Sequence, residues 1–291
     1  MTYCFEFVNL AVRYLETGDE GCLRGLAELD AARHIFAHAS YCKYDSSIST
    51  PLGLVTHLLS NRDKLRKSVP GILRNIDFVK EHVMKNDSSQ RIALECLPKG
   101  FAHTGKLFFT VAYMDGVAFG KNCSLNLAYP IYVEHPDELA FWAVHEIHHA
   151  GFLELQKGKL PIFDMKTFGD MAKFIACMLQ LEGMGTYAAL ALRESRNSLD
   201  KYGDYENLKN PQRMKELESL FFEFYEPYSG DPSRLLSDDD WQEFFRASEY
   251  RMQYTVGAKM AQAIDQRMGR EALTGLILQA PEVFIATYQN L

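Results

Sequence analysis

Between Ala140 and Leu155 the chain reads AFWAVHEIHHAGFLEL, three histidines and a glutamate in an otherwise almost wholly apolar run. His145-Glu146-x-x-His149 is an H-E-x-x-H spacing. On a helix, residues four apart share one face about 6 Å apart, so both imidazoles can hold one zinc ion. The glutamate beside the first of them can then reach a water on that metal. Zinc acidifies such a water and the glutamate takes its proton, which leaves a nucleophile facing a carbonyl. His148 is rotated by roughly 100° from His149 about the helix axis. That turns it out of the pair, toward a packing role, a supporting hydrogen bond or a contact with substrate.

This chemistry needs a third ligand and an open fourth position. Downstream candidates are Glu154, Asp164, Asp170 and Glu182. Glu154 lies five residues past His149 and is turned from the ligand face, while Asp164 and Asp170 fall in a polar, loop-like stretch. Glu182 stands inside CMLQLEGMGTYAALAL, where an unsatisfied carboxylate would be costly to bury. Gly183, Gly185 and Ala188 beside it permit close helix–helix approach.

The elements that must position these groups are readable in outline. Helical spacing predicts helices over 1–17, 20–41, 52–67 and 70–86. Short β-branched and aromatic runs at 91–97, 106–113, 116–120 and 123–129, with turns at Asp115-Gly116 and Lys121-Asn122, predict a small, largely antiparallel sheet. Pro136, Asp137 and Glu138 mark the start of the helix that carries the motif, 136–157. Helices then follow over 168–196, 211–227, 238–267 (continuous or broken), 269–279 and, as a short one, 281–289. The class is α+β, with an N-terminal helical region (1–88) and a catalytic region (89–291) whose sheet (91–129) and active-site helix precede C-terminal helices over 168–291.

Composition narrows the partners. The 291 residues are 47% hydrophobic, enough for a sizeable core, and a net charge of −7 gives no support to nucleic-acid binding. The six cysteines include no C-x-x-C pair and read as thiols in a reducing compartment. Phe174–Leu192 approaches membrane-spanning length, but Gln180, Glu182 and two glycines interrupt it, so a buried helix is expected. No secretory signal is apparent, and the expectation is a cytoplasmic protein. His34 and His38 repeat the i, i+4 spacing with no adjacent glutamate and read as helix-surface residues.

The run HEIHHAG, followed 33 residues after His149 by EGMGTYAA, resembles the gluzincin branch of zinc metallopeptidases. It is more narrowly similar to poorly characterised zinc-dependent peptidase families in which an H-E-x-H-H helix precedes an E-G-x-A-like helix. DGVAFGKNCSLNLAY resembles the strands those families place before the zinc helix, and the resemblance covers about 106–190. It implies a mostly helical zincin-like fold and one Zn2+ per chain, held by His145, His149 and Glu182, with Glu146 as base and a peptide or small amide as substrate. It further implies that substrate backbone adds to an edge strand, here Ser124–Tyr129 with Asn126 and Ala128. A downstream tyrosine would act as oxyanion donor, and Tyr254, in a Y-x-x-G element, is favoured over Tyr250. Two readings of other kinds stay open: a zinc-stabilised binding or scaffold protein without catalysis, and a hydrolase of non-peptide amides or esters.

Overall fold

The structure is a computed structural model that describes residues 1–85, 88–157, 165–199 and 203–291. The chain divides into two compact units, Met1–Ile92 with Ala102–Glu154, and Ala93–Phe101 with Leu155–Leu291. Among the described residues the six cysteines are free thiols.

The first unit is built on four strands, β1 (Thr2–Cys4), β2 (Lys106–Thr110), β3 (Gly116–Phe119) and β4 (Asn122–Asn126), in the order β1-β2-β4-β3. β1 and β4 both run parallel to β2, and only the β3–β4 hairpin is antiparallel. The sheet is therefore mixed, which corrects the expectation of a largely antiparallel one. Short turns between successive runs suggested hairpins throughout, but β2 skips over its sequence neighbour β3 to pair with β4. β1 comes from the extreme N-terminus, a pairing of Thr2 with Lys106 that no local pattern reveals. It also replaces the start of the helix expected over 1–17. The run at 91–97 is no strand: Arg91–Glu95 closes a helix, Ser88–Glu95, whose Gln, Arg, Ala, Leu and Glu residues are good helix formers.

The helices of this unit begin with α1 (Glu6–Thr17), ended by Gly18 in the left-handed region at φ 74°. Arg62 closes the same end by donating to the Leu15 and Glu16 carbonyls, both at 3.0 Å. The helix expected over 20–41 is two, α2 (Glu20–Ala27) and α3 (Asp30–Tyr41). α3 covers one face of the sheet. His34, 7% exposed, lies 5.4 Å from the Phe108 ring and hydrogen-bonds the Val117 backbone. His38 meets the Phe119 ring at 6.0 Å and shares a 2.9 Å hydrogen bond with the Tyr113 hydroxyl. These are not helix-surface histidines, as their spacing suggested; they fasten α3 to β3 and to the turn before it. Tyr113 adopts φ 88°, a costly backbone for a non-glycine residue. Its bond to His38 holds that turn in place. Burial lowers the pKa of both histidines to about 4.

The second unit is helical among its described residues. Its longest helix, α4 (Phe168–Ser195), opens with a capping box in which Thr167 and Asp170 satisfy each other's backbone N–H. By length and composition α4 could cross a membrane, yet 72% of its most apolar window is buried within the fold. It packs against α5 (Pro211–Gly230), α6 (Met252–Met268) and α7 (Pro281–Gln289). At the crossing of α4 and α6, Gly183 meets Gly257 backbone to backbone. A Cβ on Gly257 would land on the Leu179 carbonyl oxygen and 2.7 Å from Gly183 Cα. The helix expected over 238–267 is broken into α8 (Asp238–Ser248) and α6, with Arg251 at φ 51° between them. The acids of SDDDW cap α8, through Ser237 and Asp240.

Two outcomes follow from this packing. Gly257→Ala has no flexible neighbour to displace, so it should destabilise the protein by about 3 kcal/mol, read as a lowered thermal midpoint of the full chain. His34 has a folded pKa near 4, below the unfolded value of about 6.5. Its contribution is complete above pH 6.5, falls as pH drops toward 4 because only the unfolded chain takes up the proton, and then levels off. The loss should approach roughly 3 kcal/mol. Urea unfolding between pH 7 and 4 should show a shallower pH dependence for His34→Phe than for the parent chain.

Candidate metal centre

The H-E-x-x-H run lies on α9 (Glu138–Gln156), preceded by the short helix α10 (Pro130–Glu134). Every residue of α9 from Glu138 to Leu153 is buried. Exposure is 4% for His145 and Glu146, 0% for His148 and 5% for His149. The helix is apolar all round, which is the pattern of a fully enclosed helix. The polar side chains of the motif, like that of Glu138 at the start of the helix (0% exposed), therefore need partners rather than water.

Periodicity stacks His145 above His149, with ring centroids 4.1 Å apart and planes at 63°. Trp142, one turn earlier, lies 5.0 Å from the His145 ring. Glu146 Oε2 is 4.0 Å from His149 Nδ1. The sheet supplies the floor under Glu146. Gly116, at the start of β3, comes so near that a Cβ there would sit 2.5 Å from Glu146 Oε1 and 2.8 Å from its Cδ. Cys123, paired with Ala118 on the neighbouring strand, is fully buried, and its thiol pKa is pushed up by burial and, secondarily, by the Glu146 charge. Sequence reading took Asp115-Gly116 for a turn only. A glycine opening a strand is also a sign of close approach by another group.

On α4, Glu182 is 9% exposed, immediately before the Gly183 contact with Gly257. Two of the other candidate carboxylates are otherwise engaged. Glu154 meets His103 Nδ1 at 2.8 Å. Asp170 accepts from the Lys166 and Thr167 backbone N–H groups at the start of α4. Asp164 lies outside the described residues. Among the described residues, His145, His149 and Glu182 each offer one ligand atom, and these atoms lie within 4.8 Å of one another. Two nitrogens and one carboxylate oxygen fit a metal site with a position to spare.

The other anticipated residues fall as follows. Tyr254 is half-buried on α6, its ring 3.9 Å from the Arg251 guanidinium, which clamps Asp204 with Nη2–Oδ2 at 2.7 Å. Tyr250 is 48% exposed in the turn before α6. His148 packs 6.3 Å from the Phe152 ring and 6.4 Å from that of His149.

Ser124–Tyr129 is not an edge. β4 pairs with β2 on one side and β3 on the other. Its continuation is also spoken for: the N–H of Asn126 donates to Asp115, that of Leu127 to Thr110, that of Ala128 to the Asn126 side chain, and that of Tyr129 to the Asn126 carbonyl. Asn126 and Ala128 thus have no N–H left for an added strand, and the expectation that they bind substrate backbone is corrected. The edges are β1 and β3, and β3 is the one beside β4. Since Asn126 bonds to Asp115, the bonded pairs fall at Val117 and Phe119, and the backbone groups of Gly116 and Ala118 face outward.

No curated protein and no solved structure matches the chain. A family model matches residues 27–291, and the chain belongs to that family, described as "Putative zinc dependent peptidase (DUF5700)".

Proposed function

We propose that the protein is a zinc metallopeptidase of gluzincin type that cleaves a peptide or small amide. The observation that carries this reading is the grouping of His145, His149 and Glu182, with Glu146 on the same helix as both histidines. A zinc ion held there acidifies water and polarises a carbonyl. Glu146 accepts the proton of the attacking water and returns it to the leaving nitrogen, as a general base and then acid. A purely structural site has no need of a base at that position. Tyr254 is the hydrogen-bond donor we favour for the oxyanion, and its stack against Arg251 limits the positions its ring can take. His148 supports the helix from behind the ligand pair.

The edge position of β3 supports a particular way of holding substrate. An extended peptide adding to β3 would bond to the outward carbonyl of Gly116 and to the N–H and carbonyl of Ala118, the Gly116 N–H being held by the Asp115 carboxylate at 2.9 Å. The same glycine lies against the Glu146 carboxylate, so its missing side chain keeps the base and the strand edge within a few ångströms of each other.

Purified protein should carry about one zinc per chain by elemental analysis. Glu146→Gln should keep the metal and lose hydrolysis by a factor of ~10² or more, while His149→Ala should lose both. Full zinc with no cleavage of any peptide would favour the scaffold reading instead. Gly116→Ala separates the base from the fold. The far end of the Glu146 side chain is what a methyl group would strike, and it can swing aside. The expected outcome is normal zinc content, a thermal midpoint close to the parent's and a kcat lower by at least tenfold. Unchanged kcat would show that Gly116 does not set the position of Glu146.

A further inference from the structure

On α4, Ile175, Met178 and Leu179 precede Glu182 by seven, four and three residues, so all four share one stripe of the helix. Helical side chains lean toward the N-terminus, which tilts the Glu182 carboxylate toward the turn of Met178 and Leu179. Those three residues form one wall of a cavity of about 100 Å³. Phe221 and Phe224 of α5 form a second wall, and Phe244 and Ala247 of α8 a third. Met252 and Gln253 of α6 close it, directly before Tyr254. No charged side chain lines it. The Phe174, Phe224 and Phe244 rings pack on one another, with Phe174 and Phe224 lying 5.6 and 6.4 Å from Phe244.

We infer that this cavity receives one aliphatic side chain of the substrate, of leucine or methionine size, and sets the enzyme's preference. The inference rests on Glu182 being a metal ligand in a peptidase. Its place follows from continuity along the helices: the cavity begins one turn from Glu182 and includes Gln253, the residue before Tyr254, so a chain whose carbonyl lies between a metal on Glu182 and the Tyr254 hydroxyl has a neighbouring side chain within reach. Its chemistry follows from its lining. A mostly apolar, charge-free lining, with Ser248 and Gln253 its only polar members, disfavours aspartate or lysine, whose charges would lose water without gaining an opposite charge. Its size suits an aliphatic side chain better than a full ring: a dry cavity of ~150 Å³ takes one benzene, and this one holds about 100 Å³. Glycine and alanine would leave it unfilled.

The test is cleavage of a mixed peptide library by the zinc-loaded full chain, with products read by mass spectrometry. Leucine, methionine or isoleucine should dominate one position beside the cut bond. Ala247→Leu narrows the cavity and should lower the preference for leucine over alanine at least tenfold. Met178→Ala widens it and should shift the preference toward phenylalanine. Zinc content and thermal midpoint control for folding in both variants. Cleavage without an aliphatic preference, or a preference that neither variant moves, overturns the inference and leaves the peptidase reading standing. If the parent chain cleaves nothing, the peptidase reading fails, and the cavity is then read by saturation-transfer NMR with N-acetyl-leucinamide and N-acetyl-glycinamide. Selective transfer to the leucine amide, lost in Ala247→Leu, would sustain the cavity as an aliphatic site. Equal or absent transfer would remove it.

Discussion

Four polar side chains on one enclosed helix set the terms for the first unit. His145, Glu146, His148 and His149 are each at most 5% exposed, and an uncompensated polar group at such a depth costs on the order of 2 kcal/mol or more. Water cannot satisfy them, so each needs a partner from the fold or an ion. A divalent cation held between His145 and His149, as proposed, would offset part of that cost, because imidazole nitrogens are good metal ligands and poor neighbours for apolar atoms. Metal binding and burial of this helix would then reinforce each other.

The sheet is shaped by the same requirement. The Glu146 carboxylate lies against the strands, which is possible only where the strand leaves room. Gly116 supplies that room. Its strand is thin and short, with one free edge, and would be pliable by itself. α3 stiffens it from the other face: His34 at Val117 and His38 at Phe119 and Tyr113 take hold of β3 at both ends. The edge strand is thus gripped on the side away from the metal ligands and left open along its rim. Two buried neutral histidines serve this purpose better than apolar residues would, because they combine ring packing with a hydrogen bond to the backbone or to a hydroxyl.

What could be read in the sequence and what could not divide along a physical line. The stacking of His145 on His149 and the place of Glu146 beside them were legible because helical spacing is a local property and the motif sits in a run that must be helical. Glu182 was legible as an anomaly, a carboxylate in an apolar helix, and the helix bounds around it were accurate within a residue. The family match extends the resemblance seen over 106–190 to 27–291. Strand order was not legible. β1 pairs with a strand a hundred residues away, and β2 passes over β3, so neither depends on local pattern. The same limit hid the edge: β4 resembles a substrate-binding edge in sequence, but which strand lies outermost is decided by pairings between distant residues. His34 and His38 were misread because period alone cannot say whether a helix face meets water or a sheet.

α4 shows how one short stretch meets two demands. In Leu181-Glu182-Gly183 the carboxylate and the glycine are adjacent, so they point about 100° apart around the helix. Gly183 is pressed against Gly257 with no side chain between the backbones, and that contact cannot slide or rotate without collision. It fixes the rotation of α4 about its own axis in the second unit, and hence the direction in which Glu182 points. A helix held by flexible side chains would let that direction drift by tens of degrees. If Glu182 serves as the metal ligand proposed for it, its carboxylate has to stay in place to within a few tenths of an ångström and cannot accept such drift. The close glycine crossing is therefore more than economical packing. It determines where Glu182 can point, and the cavity along the same stripe inherits its position from the same contact.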